Sequence, residues 1–365
     1  PRPIPDVSVR VTFRRLGLVL GPSGSELDAE GILNPAVTRD RRGNLLLYPR
    51  MVAAGNVSRI GLVRSAPSKS ARAFGRAAIL FEPEAQYELR DVPGGYGCED
   101  PRVTFIPKLD TYVMAYTAFG PHGPRIALAR SDDAYSWIRL GLVHFDDEAL
   151  NHVPNKDAAF FPEPVLSPGG VLSFAMYHRP MLHESVNGQA PIGLILSLPP
   201  EKREVTCLAY VPVSDALRDV QALCRVRESV QAVPVGETWG RLKNGAGTPP
   251  VRTDAGWLSF FHGVDALESA RGRSLYYRAG IVIHDLERPD RLLYRSPVPL
   301  LDPQTPDERI GIVNDVVFPT GVDVRGPGEY DVYYGAADAR VACARATLAL
   351  ESRPRQGEPP GQPCA

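Results

Sequence analysis

Short β-type runs recur along the whole chain, and that repetition constrains the fold more than any other feature. The first are Leu45–Met51, Ile60–Arg64, Val103–Ile106, Tyr112–Phe119 and Ile126–Arg130. Val171–Tyr177, Ile192–Leu196, Val205–Val211, Trp257–His262, Tyr276–His284, Asp331–Gly335 and Val341–Leu348 follow. Each run is rich in Val, Ile, Tyr and Leu, and Gly, Pro, Asp or Asn bounds most of them. Such runs read as strands separated by turns. Only Asp215–Arg225 and a turn or two near Ala71 have helical character. The expected fold class is all-β.

A weak internal echo narrows this further. Tyr116-Thr117-Ala118-Phe119 precedes a Gly/Pro turn and then Ile126–Ser131, and Tyr334–Asp338 precedes Val341–Ala344. Tyr177–Pro180 with Ile192–Ser197, and Phe261–Val264 with Tyr276–His284, repeat the form. In each case a strand ends in a polar or small cluster, turns, and runs back as an apolar strand. Four or five such hairpins point to the blades of a β-propeller. A length of 365 residues normally implies two cores. A propeller spreads its core over repeated sheets, so one domain over 1–350 accommodates it. The tail 351–365, rich in Pro, Gly and charge, is expected to be flexible.

Composition excludes several classes. The formal net charge is −1, so no basic surface is expected for nucleic acid or an anionic membrane. Cys98, Cys207, Cys224, Cys343 and Cys364 form no CxxC pair, which argues against a disulfide framework and a zinc site. No signal pattern opens the sequence and no apolar run approaches a membrane span. A cytoplasmic protein is expected, and the Arg- and Pro-rich, Lys-poor composition suggests a GC-rich bacterial genome.

Polar residues concentrate at the strand ends. Gly97-Cys98-Glu99-Asp100-Pro101-Arg102 places two carboxylates before a Pro and an Arg. Alone it reads as a strand-entry turn, with Arg102 holding one carboxylate bidentately. Asn155-Lys156-Asp157, His178-Arg179-Pro180, Lys243-Asn244-Gly245-Ala246-Gly247, Asn314-Asp315 and Ala336-Ala337-Asp338 are the other clusters. Singly, His178 and His262 read as structural hydrogen-bonding groups, and Lys156 and Lys243 as surface cations. Together, at equivalent ends of propeller strands, the clusters would face one another around a central channel.

These pieces, in order, resemble glycoside hydrolase family 130, the β-mannoside phosphorylases and related β-mannosidases. Asn34-Pro35-Ala36, Tyr48-Pro49-Arg50, Ser58–Gly61, Glu99–Arg102, Gly256-Trp257-Leu258, His262-Gly263-Val264 and Asn314–Gly321 carry the likeness with the clusters above. The resemblance implies a five-bladed β-propeller with Asp100 as general acid. It implies that the proton travels through the 3-hydroxyl of the mannosyl unit to the glycosidic oxygen. Phosphate then attacks with inversion to give α-mannose 1-phosphate.

By motif position, Arg50, Arg179, Lys243 and His262 are the expected phosphate ligands, since phosphate needs cations rather than a base. An inverting hydrolase would instead need a second carboxylate roughly 6.5–9.5 Å from the acid. Sugar recognition is assigned to Asn34, Glu99, Arg102, Tyr116, Asn155, Lys156, Asp157, Asn314 and Asp338, with Asp315 an alternative to Asn314 and Trp239 an alternative stacking face to Tyr116. No metal or cofactor is expected beyond inorganic phosphate as co-substrate, and a homo-oligomer is compatible. The alternatives are an exo-acting β-mannosidase using water and a non-catalytic glycan-binding propeller. The segment 181–235 departs from the family pattern, where one more phosphate-binding arginine near Ser197 is expected and missing. Linkage, β-1,4 or β-1,2, is not carried over.

Overall fold

The structure is a computed structural model and describes residues 7–65, 74–181, 192–269 and 272–352. After β1 (Val7–Leu20), the strands β2 (Gly31–Arg39), β3 (Leu45–Ala53), β4 (Val57–Arg64) and β5 (Ala78–Phe81) form an antiparallel meander. A second meander contains β6 (Tyr96–Ile106), β7 (Thr111–Gly120), β8 (Gly123–Ser131) and β9 (Ile138–Leu142). Val57 and Ser58 pair in parallel with Tyr96 and Gly97, which merges the two meanders into one eight-stranded sheet.

The next sheet has six strands: β10 (His144–Phe145), β11 (Asn155–Phe160), β12 (Val165–Leu166), β13 (Leu172–Pro180), β14 (Thr206–Pro212) and β15 (Arg225–Val233). A five-stranded sheet follows, with β16 (Lys243–Ala246), β17 (Val251–Thr253), β18 (Gly256–Ser269), β19 (Gly272–His284) and β20 (Leu292–Arg295). The last sheet joins β21 (Val317–Gly326), β22 (Glu329–Ala336) and β23 (Arg340–Ser352) to β1. The fold is all-β, as the strand runs predict.

Apolar faces pack between successive sheets. Ile126 and Leu128 meet Phe160, Phe174 and Met176. Phe161, Tyr177 and Leu208 meet Trp239, Trp257 and Phe261, and Phe260 and Ile281 meet Tyr330 and Val332. The core is therefore divided among sheet interfaces. The centre is left to the leading strands: β2 lies against β6 and β21, and β11 against β6 and β16.

Three leading strands carry the same irregularity. Pairing skips between Leu33 and Ala36, between Glu99 and Arg102, and between Lys156 and Ala159. At each skip an Asn or Asp has a left-handed φ: 43° at Asn34, 46° at Asp100 and 60° at Asp157. Cβ crowding disfavours that region for most residues, and Asn and Asp tolerate it best. A bulge re-aims the side chain it carries. The acidic and amide residues of three clusters thus owe their position to the same local break.

The echo between Tyr116 and Tyr334 has a structural cause. Tyr116 Oη donates to Glu88 Oε1 at 2.6 Å, and Arg139 Nε donates to the same oxygen at 2.9 Å. Glu88 Oε2 accepts from the backbone of Glu84 and Ala85. In the last sheet Tyr334 and Arg15 donate to Glu308 Oε1 at 2.7 and 2.8 Å, and Gln304 and Thr305 cap its Oε2. One Tyr–Glu–Arg clasp occurs in both sheets.

One expectation needs correction, and another is refined. Ile192–Leu196 is not a strand; Ile192–Ser197 is a helix, α1, and the return strand for β13 is β14. Ile192, Ile195 and Leu196 meet Leu242 and Leu275 at helical spacing, and Pro199-Pro200 ends the run. A short apolar run does not distinguish helix from strand. The helical reading of 215–225 resolves into α2 (Val213–Arg218) and a 3-10 turn at Val220–Cys224. One further turn, α3 (Pro306–Arg309), carries Glu308. Ala71 and residues 353–365 of the tail lie outside the described residues.

Candidate active site

The bulges of β2 and β6 bring Asn34 and Asp100 together. Asn34 Nδ2 donates to Asp100 Oδ1 at 2.8 Å. Arg50, on β3, donates to Asp100 Oδ1 at 3.4 Å, to Glu99 Oε1 at 2.8 Å and to Ser58 Oγ at 2.9 Å. Asp100 is 8% exposed, enough to reach a ligand without being solvated. Asp338, with φ 49° in the turn after β22, completes a carboxylate cluster. Burial and the Asp100 charge push its carboxyl up to about 6, against the pull of Arg50 and Lys156. Burial also raises Glu99, opposed by Arg50.

A second, deeper group surrounds Asp157. Its Oδ2 accepts from Arg179 Nε at 2.7 Å, and His262 Nε2 lies 3.7 Å away. Burial alone would raise this carboxyl, but the charges of Arg179, Arg102 and Lys156 hold it well below the usual carboxylate range. Arg179 Nη1 also donates to Glu204 Oε2 at 2.9 Å. Gly245 makes this packing possible, because a Cβ there would strike Asp157 Oδ2 and the His262 ring.

Lys243 is buried beside this group, and burial followed by the Arg179 charge lowers its ammonium to about 7. His262 is fully buried, which keeps the imidazole neutral, and neither ring nitrogen has a hydrogen-bond partner among the described residues. Phe318 stacks on it at 4.3 Å, and Tyr277 lies 6.0 Å from it and 5.7 Å from Lys243 Nζ. Lys156 acts electrostatically on both groups, including Glu99, Asp338, Asp157 and Lys243.

Most of the expected site residues are thus gathered: Asn34, Arg50, Glu99, Asp100, Lys156, Asp157, Arg179, Lys243, His262 and Asp338. Arg50 lies with the carboxylates rather than beside Arg179. Arg102 does not hold a carboxylate bidentately. Its guanidinium donates to the carbonyls of Asp100, Ala246 and Gly247, clasping β6 to β16, with Asp157 Oδ1 at 3.8 Å. Asn155 turns its amide to His178 Nδ1 at 3.1 Å, and Asn314 is exposed and accepts from Gly311 N. Tyr116 and Trp239 sit in hydrophobic cores, Trp239 donating to Ser296 O, so neither offers a sugar platform.

Glu204, Tyr277 and Phe318 were not anticipated. The segment expected to deliver an arginine delivers Glu204 instead; Arg203 points to the carbonyls of Leu196, Leu198 and Arg241. Among the described residues no group of three or more His, Cys, Asp or Glu could hold a metal ion. None of their helices is long and apolar enough to cross a membrane.

A family profile described as beta-1,4-mannooligosaccharide phosphorylase matches residues 20–189 and 218–350. A 1,2-beta-oligomannan phosphorylase of Thermoanaerobacter sp. is 29% identical over 330 residues, covering 88% of this chain and 91% of that protein. A beta-1,4-mannooligosaccharide phosphorylase of Ruminococcus albus is 40% identical over 276 residues, 74% of this chain and 68% of that protein. The solved beta-1,2-mannobiose phosphorylase of Listeria innocua superposes with a TM-score of 0.67 at 20% identity, covering 92% of this chain and 96% of that one. With the profile spanning both halves of the site, the chain belongs to glycoside hydrolase family 130.

Proposed function

We propose that this protein is an inverting glycoside phosphorylase that cleaves a β-mannoside with inorganic phosphate to give α-mannose 1-phosphate. The observation that carries the reading is the pairing of two unlike groups at one centre. Asp100 sits in a carboxylate cluster beside Asn34 and Arg50, and Arg179, Lys243 and His262 gather around Asp157. The relatives named as mannoside phosphorylases support the same activity.

In this reading a phosphate oxygen bonds to the anomeric carbon as the bond to the leaving sugar breaks. Asp100 gives its proton to the 3-hydroxyl of the mannosyl unit, which passes its own to the leaving oxygen. Hydrogen phosphate brings the proton that later restores Asp100. Arg179 and Lys243 hold the anion in line, and Asp338, Asn34 and Lys156 hold the mannosyl unit. Each unit of the eight-stranded sheet is one blade, so the ring has five blades in a single domain. The buried thiols Cys98, Cys207 and Cys224 support a reducing, cytoplasmic setting.

Hydrolysis is the second reading, favoured by Asp338, a further carboxylate beside Asp100 raised to about 6. Such a group suits water activation near neutral pH. Incubation with β-1,2- and β-1,4-mannobiose, with and without phosphate, separates the two. Phosphorolysis gives α-mannose 1-phosphate only when phosphate is present; equal mannose release in its absence would establish hydrolysis. Asp100→Asn is expected to lower kcat by about 10²–10⁴-fold under either reading.

A further inference from the structure

Glu204 is a buried carboxylate, 2% exposed, that enters the anion group from the segment before β14. Its main chain bridges to Lys243, and its carbonyl accepts from Asn244 N at 3.1 Å, so its place is fixed by β16. Oε2 accepts from Arg179 at 2.9 Å. Oε1 is also buried and has no hydrogen-bond partner among the described residues. A charged oxygen left so deep without a donor is strongly disfavoured unless a ligand or water supplies one.

The neighbours of Glu204 indicate which ligand that is. Arg179 is already matched by Asp157 and Glu204, so its charge alone does not attract every anion equally. A carboxylate inside an anion cradle repels an oxyanion whose facing oxygen is bare. It accepts a hydrogen bond from one whose facing oxygen carries a proton, and such charge-assisted bonds are strong. Inorganic phosphate keeps at least one O–H near neutral pH, whereas sulfate has none.

Resting on phosphate as the second substrate, we propose that Glu204 Oε1 accepts a hydrogen bond from the protonated oxygen of inorganic phosphate. The site thereby selects phosphate over oxyanions that carry no proton. The same carboxylate that weakens general anion binding makes it discriminating.

Calorimetric titration of the full chain with phosphate and with sulfate tests this. The wild type should bind phosphate about 30-fold or more tightly than sulfate. In Glu204→Gln the amide oxygen still serves Arg179 while its N–H can donate to sulfate, so the ratio should fall about tenfold. An unchanged ratio in a folded Glu204→Gln, or sulfate bound as tightly as phosphate by the wild type, overturns the proposal. Should Glu204→Gln not fold, Glu204→Asp decides: it keeps the charge but withdraws the oxygen, so phosphate should weaken while sulfate stays excluded. Phosphate affinity unaltered in Glu204→Asp overturns the contact. Selective phosphate binding without α-mannose 1-phosphate formation would refute the proposed activity and leave this inference standing. Phosphorolysis without selectivity would do the reverse, and a wild type that binds neither anion refutes both.

Discussion

At the scale of single residues, Lys243 shows how the site stores unfavourable energy that a ligand can relieve. Its ammonium is buried among Arg179, Glu204, Lys156 and Asp157, with burial the main cause of its fall to about 7. An unfolded lysine titrates near 10.4, so between pH 7 and that value the unfolded chain binds the extra proton. Stability should therefore rise with pH across this window, by at most about 1.4 kcal/mol per pH unit. Below pH 7 both states are protonated and the full penalty remains. Lys243→Met should be more stable than the wild type at pH 7, with the gap narrowing towards pH 10. Denaturant titrations across that range check the sign, and a constant gap would mean that the native ammonium is fully compensated. Phosphate should stabilise the wild type at pH 7 and lose most of that effect in Lys243→Met.

At the scale of elements, Tyr116 and Tyr334 do the same work in different sheets. Each closes a Tyr–Glu–Arg clasp on a capped turn. Removing either hydroxyl should cost about 1 kcal/mol, since the buried carboxylate keeps its other donors. Tyr116→Phe should leave KM for the glycoside unchanged; a marked rise would restore Tyr116 to the sugar site. The echo was legible as a repeat, because the Tyr–turn–strand pattern is local. Its meaning was not, because Glu88, Arg139, Glu308 and Arg15 are far from the tyrosines in sequence. The bulges were half legible: Asn34-Pro35 and Asp100-Pro101 mark breaks in strands. Nothing in Ile192–Ser197 alone says helix, since its partners Leu242 and Leu275 lie downstream. Glu204 was invisible for the same reason: its place depends on pairing with β16, which no local pattern encodes.

At the scale of the whole molecule, the two ends of the described chain hold each other in place, and the site lies downstream of that closure. β1 pairs with β23 from Val7 opposite Ser352 to Leu20 opposite Val341. Its Phe13 packs edge-on against Phe260 at 5.9 Å, and its Arg15 clamps Glu308 with two hydrogen bonds. Glu308 organises the turn before 310–315; there Val313 N donates to Ala337 O, next to Asp338. Breaking the clamp should therefore act twice. Arg15→Met leaves the Glu308 carboxylate, 1% exposed, without its cation, which costs about 3 kcal/mol. For a chain of this size that lowers Tm by roughly 4 °C. The double variant Arg15→Met with Glu308→Gln leaves no buried charge and should recover part of the loss. If the clamp also orders the turn beside Asp338, Arg15→Met should raise KM for the glycoside more than KM for phosphate. Equal changes in both would confine Arg15 to tying β1 to the last sheet, and an unchanged Tm would show that the β1–β23 ladder holds without the clamp.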